Sequence, residues 1–156
     1  MGKGYAMMSR FDKNRMNAKC VLDQRVQDTR DEKKVKGHPS LLLFSFKDYD
    51  STQCPPGQNF EDWENDELLS SLMVKLVDLS QKNRMEATQQ EIITVYGKFP
   101  NSSEFKIPRH IQGDVDWAVI KNVGGQKHRV AGYIKDNVFY VVFLDKNHKF
   151  YKMKKK

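Results

Sequence analysis

Apolar positions change their period along this chain. In "LLLFSFKDYD" (41–50), Leu42, Phe44 and Phe46 alternate with Leu41, Leu43 and Ser45. Period two with one wholly apolar face predicts a well-buried first strand. Pro55, Pro56 and Gly57 then mark residues 50–59 as a loop. Leu68, Leu69, Leu72, Met73, Leu76, Val77 and Leu79 recur at three- and four-residue spacing, which predicts the clearest helix. Asn65 can cap it, with Asp66 and Glu67 in the first turn. Alternatively Asn59 caps an earlier start, with Glu61, Asp62 and Glu64 following. Residues 81–90 read as a second short helix or a turn.

From residue 91 the pattern is β. "EIITVYGKF" (91–99) stops at Pro100, and residues 101–114 are too broken by Pro and Gly for a regular element. "DWAVIKNV" (116–123) predicts a strand and "GGQ" (124–126) its turn. "KHRVAGYIK" (127–135) alternates, Asp136 and Asn137 suit a tight hairpin turn, and "VFYVVFLD" (138–145) is apolar enough for a central strand covered on both faces. Short turns make these strands antiparallel neighbours. The predicted fold is α+β: two layers, a mostly antiparallel sheet of about five strands, and one or two helices packed on one face. A turn at 136–137 brings Arg129 alongside Asp145 and Lys146, with His148 and Tyr151 one step past the rim.

Residues 1–37 hold few large apolar side chains, so they read as a basic arm, flexible or ordered by a protein partner. A single domain spans 38–153, and lysines 154–156 form a basic tail. Charge follows the same division. Residues 1–36 carry 10 basic and 5 acidic side chains, 37–80 carry 2 and 8, and 127–156 carry 9 and 2. Basic ends thus flank an acidic middle within a net charge of +7, which suits polyanion binding without naming the polyanion. The acidic cluster is accounted for by helix-start chemistry, or alternatively offers a docking face for a basic surface.

No apolar run approaches the ~20 residues of a membrane span, and no secretory signal is visible. Two cysteines, Cys20 and Cys54, are too few for a disulfide framework, so a cytoplasmic location is expected. The chain has no P-loop, GxSxG, HExxH or CxxC motif.

The candidate chemistry gathers at the end of the predicted hairpin. Arg129, His148 and Tyr151 supply a cation and two proton carriers, while Lys127, His128, Lys146, Lys149 and Lys152 can contact phosphate. Together they hold what RNA cleavage without metal or cofactor needs: a base for the 2′-OH, cations for the pentavalent phosphate, and an acid for the leaving oxygen. A structural alternative pairs Arg129 with Asp145 across the hairpin. A metal reading would use Asp145, His148 and His128.

The run R-V-x-G-Y-x-x-D-x-V-x-x-V-x-x-L from Arg129 to Leu144, followed by His148 and Tyr151, resembles the C-terminal strands of RelE/YoeB-type ribosome-dependent toxin nucleases. The resemblance implies an endoribonuclease of toxin–antitoxin or phage-defence type, acting on RNA or the ribosome, with Arg129 as the strand arginine and His148 or Tyr151 as the late acid or base. The same tail is similar to small bacterial proteins of no assigned activity. Two other readings stand beside the enzyme: a non-catalytic nucleic-acid-binding subunit, in which Phe150, Tyr151 or Tyr133 stacks on bases, and a protein-interaction module.

Overall fold

The computed structural model of the chain describes residues 40–53 and 59–152. The predicted arm, the terminal lysines 154–156, Cys20 and Cys54 lie outside them. The elements are β1 (Leu43–Ser45), α1 (Phe60–Asn65), α2 (Leu69–Leu79), α3 (Arg84–Gln89), β2 (Ile93–Gly97), β3 (Asp116–Ile120), β4 (Arg129–Lys135) and β5 (Val138–Asp145). All belong to one unit, Ser40–Lys156. The strands form one sheet in the order β1-β5-β4-β3-β2. Strands β2 to β5 meander antiparallel, and β1 pairs parallel to β5. This is an α+β fold with a mixed, mostly antiparallel sheet. Among the described residues no helix is long and apolar enough to cross a membrane.

Local signals explain the helices, with corrections. The Asn59 side chain accepts the Asp62 N–H at 2.8 Å and caps α1. Glu67 then takes φ 59°, so the earlier start offered by Asn59 is a separate short helix, and α2 alone covers the apolar repeat expected over 68–79. Asn65 is the last residue of α1 and not a cap for α2, whose N-cap Leu68 makes no side-chain cap bond. Within residues 81–90 a short helix does form, α3, opened by a reciprocal capping box between Asn83 and Glu86.

One sheet face carries the helices. Leu68, Leu72, Leu76 and Leu79 pack there against Ala118, Ile120, Val130, Ile134 and Phe139, with Trp63 fully buried among them. Met73 and Val77 are more than half exposed, so the packed stripe is narrower than the sequence periodicity implies. The first strand is an edge strand rather than a well-buried one. It is only three residues long, and Leu43 is 58 % exposed. Strand β5 sits inside the sheet between β1 and β4, as its apolar composition predicts.

The opposite face is not bare. Residues 98–115, without a regular element, and the turn after β5 fold over it. Phe105 and Phe150 pack there with Trp117, Val119, Ala131, Tyr133, Val142 and Phe143. Phe99 meets Trp117 and Phe150 edge-on at 4.8 and 5.3 Å. An irregular aromatic layer therefore completes the second core, which strand periodicity alone does not anticipate.

The β4–β5 register shifts at one place. Gly132 faces Val141, but Ala131 faces Phe143, leaving Val142 as the extra residue of a bulge. The bulge puts both Val142 and Phe143 into the aromatic layer. It also requires close backbone approach, since a Cβ on Gly132 would lie 1.9 Å from the Tyr140 carbonyl oxygen. Beyond the bulge the pairing is moved by one residue, and Arg129 faces Asp145.

Candidate functional site

The end of the β4–β5 hairpin gathers the candidate side chains from both strands and the turn that follows. Directly paired residues of an antiparallel sheet share a face, so Arg129 and Asp145 both lie on the aromatic side. They make no ion pair among the described residues. Asp145 is fully buried, and its two carboxylate oxygens accept the backbone N–H groups of Lys149 and Phe150, each at 2.8 Å. These bonds close the turn 146–150, with His148 at φ 57°. They also seat Phe150 in the core and return the chain so that Tyr151 stacks on Tyr96 of β2, with centroids 4.3 Å apart and planes 4° from parallel.

Tyr96, Arg129, Asp145, His148 and Tyr151 thus form one cluster. Tyr96 is the residue sequence reasoning missed. It stands between Val95 and Gly97, where the β2–β3 register slips, and no local signal distinguishes it from a core aromatic. The Nε of Arg129 is buried and has no hydrogen-bond partner among the described residues.

Charges within the cluster move its proton equilibria. Burial pushes the Asp145 carboxyl up, against the opposing pull of the Lys149 and Phe150 amides and of the His148 and Arg129 charges. Burial and the Arg129 guanidinium hold the His148 imidazole below its ordinary value of 6.5, despite Asp145. Burial also raises the Tyr96 phenol, with Arg129 acting the other way. His148 is accordingly neutral near pH 7, the form that accepts a proton.

The predicted phosphate-binding side chains are placed differently from one another. Lys146 pairs with Asp66, and Lys152 with Glu104. Lys149 Nζ lies 3.6 Å from the same Glu104 carboxylate. Lys127 is exposed in the 124–127 turn. His128 lies beside Gly125, where an added Cβ would stand 3.2 Å from its ring Nδ1. His128 precedes β4, which begins at Arg129. His128, Asp145 and His148 do not converge on a metal site. Among the described residues no group of three or more His, Cys, Asp or Glu side chains is placed to hold a metal ion.

A second polar cluster, not singled out from the sequence, lies on the same face nearer the 136–137 turn. Buried Asp48 accepts a hydrogen bond from the Tyr133 hydroxyl and lies 3.2 Å from Lys47 Nζ. His110 Nε2 is 3.2 Å from the Asp48 backbone oxygen and 3.8 Å from its carboxylate. Burial raises the Asp48 carboxyl, but Tyr133, Lys47 and His110 together outweigh it and leave Asp48 below its ordinary value. Burial and the bond to Asp48 push the Tyr133 phenol well up. Comparison with family models, curated proteins and solved structures finds no match for this chain.

Proposed function

We propose that this chain is an RNA-interacting protein of the toxin or defence type that cleaves RNA without a metal, using Arg129, His148 and Tyr151. The observation that carries this reading is the state of Arg129 and His148. The buried Asp145 oxygens are engaged by backbone amides, so no acid pairs with the guanidinium among the described residues. The same guanidinium helps keep the neighbouring imidazole neutral.

In the proposed reaction, neutral His148 takes the 2′-OH proton and the 2′ oxygen forms a bond to phosphorus. Arg129 neutralises the charge that develops on the phosphate oxygens. The bond from phosphorus to the 5′ oxygen breaks as Tyr151 donates a proton to it. The products are a 2′,3′-cyclic phosphate and a free 5′-OH. Tyr96, stacked on Tyr151, holds that ring in place.

The stacked tyrosines also favour a second reading, a non-catalytic single-strand binder in which a base extends the stack. A cleavage assay on free RNA in EDTA, and on ribosome-bound RNA in the magnesium that keeps ribosomes intact, separates the two. Cleavage is expected, with Arg129→Ala and His148→Ala each lowering the rate by roughly 10² or more while the circular dichroism spectrum is kept. The pH profile carries a sign. A depressed His148 pKa keeps the base neutral at pH 6.5 and above, so the acid limb of the profile falls only as pH drops below 6.5. A wild-type protein inert on both substrates would sink the catalytic reading.

A further inference from the structure

A groove of about 750 Å³ runs between residues 49–53 and 104–110. Its walls are tied together by side chains. Asp50 accepts from Thr52 N and Oγ1 at 2.9 and 2.7 Å and from Gln53 Nε2 at 2.9 Å. Gln53 then spans the two segments, donating to the Lys106 carbonyl and accepting its N–H, both at 2.7 Å.

Both ends of the groove are set by groups already described. At one end Glu104 pairs with Lys149 and Lys152, and its N–H donates to the Lys149 carbonyl at 3.0 Å. That end therefore abuts the turn carrying His148 and Tyr151. At the other end His110 meets buried Asp48. The acids along the groove are thus all engaged. The side chains of Lys106 and Arg109 are exposed, and no acid pairs with either among the described residues. Ile107 between them is 51 % exposed and gives an apolar surface. Exposed cations around an apolar patch, in a groove leading away from the reacting cluster, suit a single nucleic-acid strand.

We propose that this groove is the track for the RNA strand flanking the reacting phosphodiester, with Lys106 and Arg109 each holding a phosphate. The inference rests on the RNA reading above for its ligand class. It adds a length dependence that the Arg129 cluster alone does not require.

The test measures binding of a single-stranded trinucleotide and a dodecanucleotide RNA by fluorescence anisotropy at several salt concentrations. The wild type should bind the longer RNA more tightly. The Lys106→Ala/Arg109→Ala protein should lose about tenfold of that gain, and its salt slope on the dodecanucleotide should fall by ~1.4, about 0.7 for each lost phosphate contact on a single strand. An unchanged gain and slope in the double variant overturn the groove and leave the Arg129 site standing. Equal weakening on both lengths also overturns it, since the trinucleotide is too short to follow the groove. A wild type that binds both RNAs without cleaving them overturns only the catalytic reading. A wild type that binds neither overturns both proposals.

Discussion

Asp145 has two carboxylate oxygens and two candidate sets of donors: the guanidinium of Arg129, its register partner across the strands, and the amides of the turn that follows. The amides hold it, at 2.8 Å each. Asp145→Ala would orphan both N–H groups, one fully buried, and each such loss costs about 1–3 kcal/mol. Urea denaturation should therefore show a loss of about 2 kcal/mol or more, and a near-neutral result would mean the turn stands without Asp145. The residue types at this site were legible in advance, because Arg129, His148 and Tyr151 stand out within one short stretch. Their environments were not. That Lys149 and Lys152 share Glu104 depends on a distant irregular segment folding over the sheet.

At the scale of elements, the strands and turns follow from local chemistry. Asp136 adopts φ 53° in the expected hairpin turn, and Asn83 and Glu86 close their helix start. The bulge in β5 does not follow, because a nearly all-apolar strand has no alternation to reveal a slip. Its signature is Gly132, which a bulky residue cannot replace. In Gly132→Ala the new Cβ would meet the Tyr140 carbonyl, a backbone atom that cannot swing aside. The expected cost is about 3 kcal/mol, read as a fall in denaturation midpoint. A variant as stable as the wild type would show that the strands tolerate a different register. The helix expected over 68–79 forms as α2, but the left-handed turn at Glu67 that sets α1 apart from it did not show, because Asp66 and Glu67 looked like ordinary first-turn acids.

Over the whole molecule, one sheet separates two cores with different covers. Trp63 lies in the helix-side core and Trp117 in the aromatic one, and they are the only tryptophans in the chain. Strands β3, β4 and β5 contribute to both cores, so neither layer has a sheet of its own. Single-tryptophan proteins, Trp63→Phe and Trp117→Phe, should each unfold in one transition whose fluorescence midpoint coincides with that from far-UV circular dichroism. Two separated transitions would show that the irregular cover melts before the sheet.

Periodicity and turn residues alone determined the α+β class, the antiparallel run of the last four strands, the interior place of β5 and the neighbourhood of Arg129 and Asp145. Each of these depends on residues close in the chain or on a short hairpin, where geometry leaves few choices. Tertiary structure alone decided that β1 lies at the sheet edge, that loops cover the second face, that Tyr96 joins Tyr151, and that a groove with exposed Lys106 and Arg109 leads away from the cluster. Those features join segments far apart in sequence. Which of them meet is set by burial of aromatic surface and by a one-residue slip in register, neither of which leaves a periodic trace in the chain.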